Sequence, residues 1–148
     1  MALAKDWKEF LELLNSNHAE YVIVGAFAVA WHAVPRLTRD IDIWVRPTPE
    51  NALRIERTLA DFGFRTLEIK AADFLTPGLV IQLGNEPLRI DLLTKLSGVS
   101  ADEIWAEKVA GTLGGVPVSF LGRDTLCRNK RAAGRPKDLA DLDALGAL

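Results

Sequence analysis

Trp7, Phe10, Leu11, Leu13 and Leu14 return at the spacing of one helix face, which predicts a first helix over 6–15. The polar run Asn15-Ser-Asn-His ends it. Tyr21-Val-Ile-Val is short, apolar and β-rich and runs directly into Gly25; the small apolar stretch 26–33 follows and Pro35 closes it. This reads as strand, glycine turn, helix. Asp40-Ile-Asp-Ile-Trp-Val alternates polar and apolar with period two, the mark of a strand with two unlike faces, and Pro47 and Pro49 break it. An amphipathic helix is predicted over 51–62, stopped by Gly63. Two strand-like runs, 79–83 and 88–93, flank Gly84-Asn-Glu-Pro and read as a hairpin. A helix over 101–109, a strand over 116–120 and two closing helices over 123–133 and 136–145 complete the pattern, with Pro136 in the first turn of the last. Strands mixed with helices predict an α/β (α+β) class with a mixed β-sheet flanked by helices, in one domain over 1–148.

On the strand over 40–45, Asp40 and Asp42 are two residues apart and share a face, about 7 Å from one another, while Ile41 and Ile43 take the core face. Two carboxylates on one face repel, and a divalent cation relieves the repulsion. In Leu88-Arg-Ile-Asp-Leu-Leu, Asp91 stands opposite the apolar set Leu88, Ile90 and Leu92. If the two strands are neighbours, three acids converge, enough for two magnesium ions about 3.5–4 Å apart in phosphoryl or nucleotidyl transfer. The plainer reading pairs Asp40 and Asp42 with Arg36 and Arg39, and Asp91 with Arg89 or Lys95.

Gly25 adds a second kind of evidence. Glycine lets backbone N–H groups approach a ligand, and a helix N-terminus offers unpaired donors and partial positive charge to phosphate. Arg36, Thr38 and Arg39 come just before the acidic strand, placed to touch triphosphate oxygens or fix the aspartates. A tight turn with no ligand is the alternative for Gly25.

Net charge is −2 over 148 residues, so global electrostatics do not announce a nucleic-acid binder. From Arg123 to Lys137, however, six basic residues meet one acid, Asp124. Lys130, Arg135 and Lys137 are candidates for a cationic lid over triphosphate or an acceptor surface, RNA included. The competing reading is a solvated helix face paired with Asp138, Asp141 and Asp143. One cysteine, Cys127, excludes an intrachain disulfide. With no signal-peptide pattern and no apolar run near the roughly 20 residues a membrane span needs, a cytoplasmic protein without membrane association is expected. His18, His32 and Cys127 lack zinc spacing and are read as turn, packing and buried residues. The four tryptophans are core candidates, with Trp44, on the aspartate face, an alternative base-stacking platform.

Gly25-Ala26, then Arg36-Leu-Thr-Arg-Asp-Ile-Asp42, then Ile90-Asp91-Leu92, resemble the nucleotidyltransferase-fold (polymerase-beta-like) superfamily over about residues 20–141. The minimal bacterial members, including abortive-infection and toxin–antitoxin types, are the most similar. That resemblance implies the nucleotidyltransferase fold and transfer of a nucleoside monophosphate from a triphosphate, ATP foremost, to an acceptor that is protein, RNA or small molecule. It implies that Asp40 and Asp42 bind two Mg2+ ions and that Asp91 binds one of them and helps deprotonate the acceptor. Many members carry serine after the glycine; Ala26 stands there in this chain, which implies phosphate held by backbone N–H groups. A non-catalytic nucleotide-binding or regulatory module, paired with a protein partner, is the alternative. A sugar-nucleotide glycosyltransferase would use Asp-x-Asp but leaves Gly25 and Asp91 without a role.

Overall fold

The computed structural model describes residues 3–35, 37–64, 68–84 and 88–148. Six strands form one mixed sheet in the order β3-β4-β2-β1-β6-β5. In chain order the elements are α1 (Lys5–Ser16), β1 (Tyr21–Val24), α2 (Gly25–His32), β2 (Asp40–Val45) and α3 (Pro49–Phe62). A 3₁₀ helix (Ala71–Leu75), β3 (Val80–Leu83), β4 (Arg89–Leu93) and α4 (Ala101–Ala106) follow. The chain closes with β5 (Val109–Leu113), β6 (Val116–Phe120), α5 (Arg123–Ala133) and α6 (Pro136–Ala144). This is the mixed sheet flanked by helices that the pattern predicts.

Period two sorts the strands onto two cores. Ile23 on β1, Ile41 and Ile43 on β2, and Ile90 and Leu92 on β4 pack with Trp7, Phe10 and Leu14 of α1 and Ile55 of α3. Val22, Val24 and Trp44 face the other way, against Ala28 and Val29 of α2, Leu126 and Cys127 of α5, and Leu142 of α6. The aspartates of β2 therefore lie on the second face, at the end where the apolar packing stops. The α3 start is well specified: Pro49 stands in the first turn and the Thr48 side chain accepts from the Asn51 N–H. Fully buried Asn51 accepts from the Glu20 N–H at 2.6 Å and donates to the carbonyls of Glu20 and Arg46 at 2.8 Å each. It thus ties the outer ends of β1 and β2 together.

Two expectations are corrected. The helix over 101–109 stops at Ala106, and Val109 instead opens β5, antiparallel to β6. Gly114 and Gly115, with φ +58° and +81°, supply the two left-handed residues of the tight connection between them. Of the four tryptophans, Trp7 and Trp44 are core residues, but Trp31 is 46% exposed. Trp44, fully buried, packs in the core and presents no stacking surface to a base. Cys127 is buried, and His32 Nε2 bonds the Leu121 carbonyl at 2.7 Å, both as expected of packing residues. Among the described residues no helix is long and apolar enough to cross a membrane.

Candidate active site

β2 and β4 run parallel, with Asp42 opposite Asp91 and Asp40 opposite Arg89. Adjacent strands are about 4.8 Å apart, so this register alone brings two carboxylates side by side. A side-chain interaction between the Asp42 and Asp91 carboxyls favours the protonated form of Asp42. Burial, followed by the charges of Asp91 and Asp40, pushes Asp42 up to about 6. Asp91 is also raised, mainly by burial, against the opposing pull of Arg89. Its Oδ1 is buried without a hydrogen-bond partner.

The antiparallel pairing of β1 with β2 sets Val24 opposite Asp42, and the chain then turns into α2 at Gly25. Gly25 has φ +65°, and a Cβ there would lie 2.2 Å from Oδ2 of Asp42. Only glycine permits both the left-handed turn and this approach of carboxylate to helix start. Asp40 is held differently. The Arg89 Nε lies 3.1 Å from its Oδ1, and another nitrogen of the same guanidinium lies 3.8 Å from Asp91 Oδ2. Among the described residues no three acidic, histidine or cysteine side chains converge at metal-ligand spacing. The Arg89 cation beside Asp40 and Asp91 neutralises in part the charge that a metal would otherwise meet.

These groups open into a cavity of about 830 Å³. Gly25, Ala26 and Thr38 line it with Asp40, Asp42 and Asp91, and Lys130, Arg135 and Lys137 line it too. The Thr38 hydroxyl bonds the Asp40 backbone, accepting from its N–H at 3.3 Å and donating to its carbonyl at 3.1 Å, and so fixes the entry to β2. Arg39 is exposed and stands outside the cavity wall. Arg36 lies outside the described residues.

The basic stretch is not one surface. Arg128 pairs with Glu103 and Glu107, and Arg131 donates to the Ala147 carbonyl, so these two fasten α5 to α4 and to the C-terminus. Lys130 is not a solvated side chain. It is 7% exposed, with Nζ 2.9 Å from Asp141 and 3.3 Å from Asp138. Burial would raise Asp138, yet hydrogen bonds from Arg135 and the charge of Lys130 hold it at about 2. Asp143, the third acid expected in that pairing, is exposed. Lys95, Asn129 and Asp141 also line the cavity; the sequence offered Lys95 and Asp141 only as ion-pair partners, and Asn129 carried no signal.

No protein-family model matches the chain, and no curated protein is significantly similar to it in sequence. Solved structures are similar. TM1012 of Thermotoga maritima, whose nucleotidyltransferase assignment is itself provisional, superposes with TM-score 0.63 at 16% identity, covering 93% of this chain and 88% of its own. The chain has the nucleotidyltransferase fold. Two antibiotic-modifying proteins share that fold with it. The lincosamide antibiotic adenylyltransferase LnuA, lincomycin-bound, gives TM-score 0.60 at 11% identity over 99% of this chain and 98% of LnuA. The antibiotic-resistance factor ANT(2'')-Ia gives 0.61 at 13% identity over 95% of this chain and 80% of its own. A nucleotidyltransferase fold with this sheet order places β2 and β4 side by side, the arrangement that the acidic cavity requires.

Proposed function

We propose that this protein transfers a nucleoside monophosphate from a nucleoside triphosphate, ATP foremost, to an acceptor hydroxyl. The observation that carries the reading is the in-register pair Asp42 and Asp91, set over the glycine that opens α2. The ANT(2'')-Ia complex with adenylyl-2''-tobramycin, a protein of the same fold, supports adenylyl transfer as the reaction class.

The donor chemistry suits a hard divalent cation. Two carboxyls stand side by side on adjacent strands, and one buried oxygen of Asp91 has no hydrogen-bond partner. Asp42 and Asp91 would hold magnesium, with Asp40 joining as Arg89 gives way. Bound magnesium would neutralise the triphosphate and stabilise the leaving pyrophosphate. The α2 N-terminus, with Gly25 and Ala26 in the wall, offers backbone N–H groups to phosphate. Lys130 and Lys137, in the cavity lining, supply positive charge, and Arg135 adds to it. The acceptor oxygen attacks the α-phosphorus, the bond to pyrophosphate breaks, and the acceptor proton passes to Asp91. Burial raises Asp91 and so favours its holding that proton.

A second reading, a non-catalytic nucleotide-binding module of a two-protein pair, is favoured by Ala26, which offers no hydroxyl to phosphate. Calorimetry of ATP with and without magnesium, on the wild type and on Asp40→Asn and Asp42→Asn, tests nucleotide placement. Pyrophosphate release separates the readings: magnesium-dependent binding with release supports transfer, and binding without release with every acceptor class supports the module.

A further inference from the structure

A second cavity, of about 420 Å³, lies on the other flank of α2. Gly25 and Ala26 face the acidic cavity, whereas Phe27, Ala30 and Trp31, at helical spacing, wall the second. Its other walls include Trp7 of α1, Leu113 of β5 and Phe120 of β6. Trp31 stacks on Phe120 with centroids 4.6 Å apart and planes 7° from parallel. Behind that stack Gly111 leaves room, since a Cβ there would lie 2.7 Å from the Trp31 ring. The indole is thus held in place, yet 46% of the residue faces solvent. Leu37 and Leu88, 84% and 41% exposed, also belong to the walls.

Two further features decide what the cavity suits. Among the described residues no charged side chain lines it. Those residues offer a polycationic ligand no carboxylate and an RNA's phosphates no cation. The volume falls in the range of small-molecule sites, roughly 300–1,000 Å³. The cavity also adjoins the acidic one. Thr38 lines both, and Leu88 directly precedes Arg89, which pairs with Asp40.

Resting on the transferase reading above, we propose that this cavity is the acceptor subsite and takes an uncharged, largely apolar, hydroxyl-bearing small molecule. The apolar body lies against the Trp31–Phe120 stack. The hydroxyl reaches past Thr38 toward Asp91, where its oxygen bonds to the α-phosphorus, its proton passes to Asp91 and pyrophosphate leaves.

The test uses the full chain, isotope-labelled, titrated with 1-naphthalenemethanol while the indole N–H resonances are followed. The expected result is a saturable shift of the Trp31 resonance. Leu37→Asp and Trp31→Ala, the latter read at the Trp7 indole that also lines the cavity, should each weaken binding roughly tenfold, the scale of losing a large apolar contact. Leu37 is exposed, so its replacement leaves the fold intact and its circular dichroism unchanged. Asp42→Asn should bind the probe as the wild type does while losing ATP. ATP binding without saturable probe binding overturns the subsite and leaves the nucleotide reading standing. Probe binding with no ATP binding overturns the transferase reading and the acceptor role with it. Equal affinity for 1-naphthylmethylammonium overturns the uncharged class. A dimer that the probe dissociates overturns the proposal in favour of a second copy covering this face.

Discussion

A side-chain carbon on Gly25 would come within 2.2 Å of the Asp42 carboxylate. The glycine at the head of α2 and the acid on β2 are therefore a single structural unit. Gly25→Ala meets two penalties, the clash and a φ of +65°, the latter costing an L-residue about 1–2 kcal/mol. The variant is expected to lower the thermal midpoint by several degrees and to weaken magnesium-dependent ATP binding at least tenfold. Calorimetry after confirming the fold checks it; unchanged affinity would detach the turn from the nucleotide.

Asp42 is raised by burial and by its acidic neighbours, so ionising it in the folded state without metal opposes the fold. Its contribution is fully present below the unfolded value near 3.8 and is lost as pH rises through about 6. In chelator, thermal stability should fall between pH 4 and pH 7 by an amount on the order of 2–3 kcal/mol. Asp42→Asn should remove that slope and be the more stable protein at pH 7, while losing magnesium–ATP binding. Thermal scans across that range decide it; a slope that survives the substitution assigns the titration elsewhere.

The acidic pair was legible because strand alternation fixes which face a residue takes. Asp40, Asp42 and Asp91 each follow from period two, and Gly25 from the apolar run that it ends. What joins them was not legible. The parallel pairing of β2 with β4 is a contact between segments about fifty residues apart, and nothing local in either strand specifies its partner. β5 was misread because Trp105, Lys108 and Val109 extend a plausible helix past Ala106. Gly114-Gly115 was the overlooked sign of a hairpin. The basic run misled in another way: charge counts cannot say that Arg128 and Arg131 fasten helices while Lys130 is buried beside the cavity.

Asn51 offers a control remote from the cavity. It bonds the backbone where β1 begins and β2 ends, and removing its side chain orphans buried groups at a cost of about 1–3 kcal/mol. Asn51→Ala should lower the denaturant midpoint with ATP affinity, measured well below the melting temperature, unchanged. A matching loss of affinity would mean that the acidic site depends on the far strand ends.

Lys130 makes the strongest demand on the fold and the site together. Its ammonium lies between Asp138 and Asp141, all three nearly out of solvent. Lys130→Met keeps the volume but leaves two buried carboxylates without their shared cation, a loss of about 3–5 kcal/mol. The same group shapes acid stability. Asp138 is held at about 2, below its ordinary 3.8, so its contribution is present above pH 4 and is lost as pH falls toward 2. The wild type should therefore lose stability over that interval. Lys130→Met, already lacking part of what holds Asp138 ionised, should show a shallower fall. If Lys130 also serves triphosphate, a version refolded at moderate pH should bind ATP far more weakly than AMP would predict, because the missing charge faced the phosphates and not the base. Denaturation curves at pH 2.5, 4 and 7, with ATP and AMP affinities at pH 7, separate the two roles: loss of stability with the ATP-to-AMP preference intact would confine Lys130 to holding α5 against α6.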